Sequence, residues 1–273
     1  MKKFFALLIA VLMLATLVAC SDKDDTGNPL ETLGIDDNTF SNNNVGSFTY
    51  EVGADGRYEI TGYLVNTATE HEVVIPSEIG GVEVTGIADE AFRAINSITK
   101  ITVSNTVVRI GDYAFADCDK LTAIVMADSI TELGVGVFSG CDLINNVSIP
   151  KLVTEIPAEC FMNCSSLSAV SLMNCDELKV IGEGAFYNCD ALVSFPIPAT
   201  VTEIQAAAFY NCDKLVSVTV PASVTTVGDA AFGELSGAKV TFKTAKDSFF
   251  AKYFNEVYAI NTADYSHYTL VLN

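Results

Sequence analysis

Val107–Ser129 reads V-V-R-I-G-D-Y-A-F-A-D-C-D-K-L-T-A-I-V-M-A-D-S, and Val201–Ser223 reads V-T-E-I-Q-A-A-A-F-Y-N-C-D-K-L-V-S-V-T-V-P-A-S. The two stretches match in phase at Ile110/Ile204, Phe115/Phe209, Cys118/Cys212 and Leu121/Leu215. The phase runs through most of the chain. Phe recurs at 92, 115, 138, 161, 186, 209 and 232, always 23 residues on except for one step of 25. The two extra residues fall near Asn174 to Glu177. Cys follows Phe by three at 118, 141, 164, 189 and 212, and an aliphatic precedes Phe by five in every unit. A fixed period of this length marks a repeat architecture in which each unit is one supersecondary element.

The second half of each unit, L-x-x-V-x-I, alternates buried and outward positions as a strand does. One unit cannot enclose a core, but stacked units bury a continuous one and pair their strands in parallel. At about 4.8 Å per strand, seven units give a sheet roughly 30 Å wide. The Ala-Phe segment is expected to form the opposite wall as a turn or short helix. Pro150, Pro198 and Pro221 follow strands and end the pairing there.

The motifs I-G-x-x-A-F and C-x-x-L-x-x-V-x-I-P resemble the BspA-like (treponemal-type) leucine-rich repeats of bacterial surface proteins. The resemblance covers about residues 82–242. It departs at Ser104 and Ala127, which replace Pro, and at Ile95, which replaces Cys. It implies a leucine-rich-repeat solenoid, mainly β, of about seven 23-residue repeats with a parallel sheet. It also implies binding or adhesion as the role.

The ends of a solenoid need caps. Phe48–Val52 and Arg57–Ile60 flank Gly53-Ala-Asp-Gly56 and read as a β-hairpin. His71–Ile75 reads as a further strand, and Gly80-Gly81 as a turn into the array. Asp247–Val257 has helical spacing with Asp247 or Ser248 as its cap, and Tyr268–Leu272 reads as a last strand. The expected divisions are an N-terminal cap over 47–83, repeats over 84–242 and a C-terminal cap over 243–273.

Ahead of these, Lys2 and Lys3 precede an apolar run from Phe4 to Val18. That is the charged n-region and h-region of a secretory signal, and it is short of the ~20 residues of a membrane span. Leu17-Val18-Ala19-Cys20 resembles the lipobox of bacterial lipoproteins. This implies removal of residues 1–19 and a membrane anchor on the lipidated Cys20. Loss of Lys2 and Lys3 takes the net charge from −19 to −21. Ser21-Asp22-Lys23-Asp24-Asp25 resembles the acidic signal that sends lipoproteins of Bacteroidota-type bacteria to the outer surface. Residues 20–46 are read as an acidic flexible tether: six acids against Lys23, with Gly27, Pro29 and the run Ser41–Asn44.

Acids outnumber bases 34 to 15, which excludes nucleic acid as the default partner. With two His and no Trp, His-based catalysis and metal binding have little material. His71 and His267 fall in opposite caps, and no nucleophile elbow or phosphate loop is present. No catalytic residue, metal ligand or cofactor is therefore assigned. The in-phase Cys column reads as a buried ladder of thiols rather than a disulfide framework. Cys175, in the insertion, is expected to be the exposed thiol.

A binding face is the remaining candidate. Outward strand positions Lys100, Thr102, Val125, Asn146, Ser148, Ser171, Ser194, Ser217 and Thr219 form one ladder. Met162, Tyr187 and Tyr210, each just after a Phe, form a second, aromatic patch. The sequence therefore points to a non-catalytic, membrane-anchored adhesion module on the outer surface, expected to be a monomer, with a protein, matrix or glycan partner. A glycan-binding accessory lipoprotein and a periplasmic scaffold are the alternatives.

Overall fold

The computed structural model describes residues 41–42, 46–65, 69–235, 240–259 and 266–273. The signal segment, Cys20 and nearly all of the 20–46 tether lie outside the described residues.

Each repeat makes one turn of a solenoid with three walls. The first is the expected ladder of short parallel strands: Ile98–Thr102, Ala123–Val125, Asn146–Ser148, Ala169–Ser171, Ser194–Pro196, Ser217–Thr219 and Val240–Thr244. Equivalent residues pair one turn apart, as Lys100 with Ala123, Ser148 with Ser171 and Ser194 with Ser217. One residue in phase in each strand is buried: Ile101, Ile124, Val147, Val170, Phe195, Val218 and Phe242.

The expectation of one sheet is incomplete. A second wall of parallel two-residue strands runs in two sheets, Arg109–Ile110 with Glu132–Leu133 in one, and Glu155–Ile156, Val180–Ile181, Glu203–Ile204 and Thr226–Val227 in the other. Each contributes a single inward aliphatic, so no alternation betrays it in the sequence. Gly111, Gly134, Gly182 and Gly228 follow these strands where a Cβ would strike the backbone of the preceding turn.

The third wall carries the Phe. It is neither helix nor sheet, yet its backbone is satisfied. The N–H groups of Ala91, Arg93 and Ile95 close turns onto the carbonyls of Ala88, Glu90 and Phe92. The alternate N–H groups, of Glu90, Phe92 and Ala94, donate to Asp112, Ala114 and Ala116 of the next turn. Left-handed residues two before and two after each Phe make this alternation possible. They include Glu90 and Ala94 (φ 57° and 58°), Gly136 and Gly140 (58° and 74°), and Ala207 and Asn211 (53° and 55°).

Inside, the seven Phe rings form a column. Successive centroids from Phe92 to Phe232 lie 5.1–5.6 Å apart. All seven are fully buried. At the N-terminal end the antiparallel hairpin of Gly46–Val52 and Tyr58–Val65 closes the column, with Tyr63 stacked 5.8 Å and Phe48 edge-on 6.3 Å from Phe92. Ser41–Asn42, which composition assigned to the tether, already pairs with Ser47 and Gly46. Backbone pairing at a sheet edge needs no apolar side chain. At the other end Phe242 and Phe250 meet Phe232 edge-on at 5.2 and 5.8 Å. Phe250 sits on helix α1, Phe249–Val257, whose N-cap Ser248 accepts from the Ala251 N–H at 3.1 Å. Strand Tyr268–Leu272 pairs in parallel with Val240–Thr244.

Candidate functional site

The outward positions of the first ladder fall where the spacing put them. Val125, Asn146, Ser148, Ser171, Ser194 and Thr219 are exposed, while Lys100, Thr102 and Ser217 are half-buried. In-register pairing aligns them in two rows within three short sheets, the pairing breaking between Val125 and Asn146 and between Ser171 and Ser194. Lys100 pairs with Glu72 at 3.1 Å on the adjoining strand, so the charge it brings to this face is matched. From Ala123 to Thr219 the rows carry no ionisable group, in a chain of net charge −19, and Lys243 follows Thr219 in the second row. At the ladder's N-terminal end an open groove of about 460 Å³ runs between Pro76, Glu78, Ser104 and Asn105.

The aromatic patch is a stack. Tyr187 and Tyr210 lie 5.1 Å apart with rings within 3° of parallel, and Gly233 continues the column where a Cβ would strike the Tyr210 ring. Ring faces are therefore turned on one another, and both residues are half-buried. Met162 occupies the equivalent position one turn earlier and is half-buried. Beside them runs an amide ladder that sequence reasoning missed: Asn211 donates to Asn188 at 2.9 Å and Asn188 to Asn163 at 2.8 Å. Each Asn sits at the left-handed position after its Phe, a conformation Asn tolerates better than most residues.

The Cys column lies behind this wall. Cys118, Cys141, Cys164, Cys189 and Cys212 each donate S–H to the carbonyl of the preceding turn's Phe at 3.1–3.2 Å. All seven described cysteines are free and buried. Burial pushes Cys118, Cys164 and Cys212 up to about 12, so their thiols stay protonated as donors. Cys175 corrects its expectation. It is 2 % exposed, with its thiol directed at the Ile149 carbonyl, because the insertion folds its Cys inward and turns Met173 out instead.

The second ladder holds groups the sequence did not bring together. Arg109 meets Glu59 at 3.0 Å, Asp89 at 3.2 Å and Glu132 at 3.5 Å, across neighbouring turns. Burial opposes its charge, but the Asp89 hydrogen bond and the three carboxylates outweigh it and raise its pKa. Further along, partial burial and then the charge of Glu203 raise the Glu155 carboxyl. Glu155 edges a second open groove, of about 380 Å³, with Asp112, Thr131, Glu132 and Thr154. His71 and His267 stand at opposite ends of the ladders, on or beside terminal strands, and share no site.

The chain matches the family described as the BspA type leucine rich repeat region, in six copies over residues 85–216 and 179–270, more than half its length. It belongs to that family. This BspA-type chain is similar in structure to the T. pallidum leucine rich repeat protein. The two are 28 % identical with a TM-score of 0.57, over 73 % of this chain and 84 % of that one. A leucine rich cell surface protein from Faecalibacterium prausnitzii is 24 % identical with a TM-score of 0.43, over 70 % of this chain and 72 % of the other. A leucine-rich repeat protein from Bacteroides capillosus is 27 % identical with a TM-score of 0.39, over 50 % and 98 %. No curated protein matches the chain. The BspA-type solenoid is a fold of bacterial leucine-rich-repeat proteins and presents a protein-interaction module.

Proposed function

We propose that the chain is a membrane-anchored adhesion module that engages a protein partner through the outer face of its first ladder. The observation that carries this reading is the face itself. From Ala123 to Thr219 it offers aligned, mostly small side chains without an ionisable group, with Lys243 at its C-terminal end, on a molecule of net charge −19. A partner backbone can approach such a face closely, and the partner supplies the large side chains that dominate interface energy. The tether and the lipobox-like Leu17–Cys20 support an anchor at the N-terminal side, placing the solenoid outside the membrane.

External protease applied to intact cells of the native host tests the location. Loss of the domain's signal is expected, and full protection would favour a periplasmic scaffold. Binding of the purified chain to host cells or matrix, compared with the exposed-face variant S171E/S194E, tests the face. Weaker binding by the variant is expected, and equal binding would move the site elsewhere. Hits confined to a glycan array would favour the accessory role in glycan use.

A further inference from the structure

The first ladder begins at the strand His71–Val74, which pairs with Ile98–Thr102 on one side and with no described strand on the other. The N–H groups of His71 and Ile75 donate to Ser97 and Thr102 on the paired side. Backbone groups alternate along a strand, so those of Glu72 and Val74 face the open edge. Such an edge is a template for one more strand. Its outer face is apolar at this end. Val74 is 48 % and Val125 50 % exposed, and in-register pairing sets them on either side of Thr102.

The groove of about 460 Å³ adjoins the edge and shares Val74 with it. Its lining mixes Ile75 and Pro76 with Ser104, Asn105 and Glu78. It forms where the repeat departs from its pattern, since Ser104 stands where later turns carry Pro150, Pro198 and Pro221. Glu78 is the ionisable group of the lining. Carboxylates nearby are matched, Glu72 by Lys100 at 3.1 Å and Glu83 by Arg57 at 3.4 Å. Glu78 is exposed and enters no ion pair among the described residues.

We propose that this corner docks an extended segment of a partner protein. The segment adds to the ladder as a strand along His71–Val74, lays an aliphatic side chain on Val74 and Pro76, and sets a Lys or Arg against Glu78. Open backbone groups at strand spacing are met by another extended chain. A strand turns alternate residues to one face, so the groove takes one side chain and its neighbours point away. The unmatched carboxylate selects a base. Backbone bonds supply affinity, while the groove and Glu78 supply selectivity. The site rests on the reading that the partner is a protein, and it lies at the N-terminal end of the same ladder.

Selection on the purified chain from a displayed library of random peptides of about eight residues, the length of a long strand, tests it. Enriched peptides should alternate aliphatic residues and carry a Lys or Arg at a fixed place. Such a peptide, made synthetically, should slow exchange of the Glu72 and Val74 amides about tenfold or more. Val74→Pro removes a donor from the open edge and leaves the pairing to Ile98–Thr102 intact, and should weaken the peptide about tenfold. Glu78→Lys should turn the selection toward acidic peptides, which a corner that had merely unfolded would not do. The face variant S171E/S194E should bind the peptide unchanged. Failure to enrich any peptide, or a peptide indifferent to both Val74→Pro and Glu78→Lys, overturns the site while binding to host cells still tests the protein-partner reading. A Val74 amide that exchanges slowly in the chain alone also overturns it, because the edge is then already covered.

Discussion

The ring of Tyr113 occupies the space where residue 136 of the next turn would carry a Cβ, and residue 136 is Gly. Lying there, Tyr113 spans a whole turn and donates its hydroxyl to Glu159 at 2.8 Å. On its other side Arg93 sits 5.4 Å from the ring centroid. One small residue thus lets side chains from three turns, Arg93, Tyr113 and Glu159, meet across a fourth.

Gly136→Ala should cost about 2–3 kcal/mol. Part is the left-handed φ of 58°, and part is the displaced Tyr113 ring. Adding Tyr113→Ala should recover the second part only, so the double variant is more stable than the sum of the single changes. Urea unfolding of the three variants measures the coupling.

The thiol column predicts a loss of stability in alkali. Unfolded thiols ionise near pH 8.5. In the folded chain burial holds Cys118, Cys164 and Cys212 up at about 12. Their stabilisation is therefore complete below about pH 8.5 and is lost as pH climbs toward 12, by up to about 1.4 kcal/mol per thiol per pH unit. Urea midpoints at pH 7, 9 and 10.5 should fall steeply over the last interval, and less steeply in Cys118→Ala. At pH 8 an aromatic disulfide reagent should label none of the seven buried thiols until urea is added.

Ala207 and Ala230 hold φ of 53° and 52° at positions where Gly136 and Gly184 serve in other turns. Ala207→Gly and Ala230→Gly should each raise stability by about 0.5–1 kcal/mol, the relief of left-handed strain exceeding the entropy that Gly adds to the unfolded chain. Asn188→Ala should act oppositely, by about 2 kcal/mol, because it breaks both amide rungs and places Ala in the left-handed region. Thermal unfolding ranks the three.

The same residues mark what could be read without coordinates. The first ladder was legible because L-x-x-V-x-I buries every second residue. The column was legible because Phe and Cys recur without substitution in most turns. The left-handed positions were not, because Glu90, Tyr113 and Ala207 fill them as often as Gly does, and nothing in those side chains announces φ. The rows of the candidate face followed from period two. The reach of Tyr113 to Glu159 did not, since it skips a turn and depends on what is missing at residue 136. Cys175 misled because an insertion's length does not say which of its residues turns inward.

Phe161 stands mid-column, 5.4 Å from Phe138 and 5.5 Å from Phe186, fully buried. Phe161→Ala should cost about 3–5 kcal/mol and open a cavity between two intact half-stacks. Phe161→Leu should cost less by filling part of it. Amide hydrogen exchange should show the loss of protection centred on the turns of Phe138 and Phe186, spreading less to the terminal caps, as nearest-neighbour coupling in a linear array requires.

Each inter-turn bond recurs with the period on every wall: Thr122 to Thr99, Phe92 to Ala114, Cys118 to Phe92. Outside the 25-residue unit between Phe161 and Phe186, a deletion of 23 residues therefore rejoins each row to its own kind, whereas a deletion of 22 or 24 scrambles all of them. In the gene, that makes whole repeats interchangeable modules. Unequal recombination can lengthen or shorten the protein by single turns of about 4.8 Å and still deliver a chain that folds.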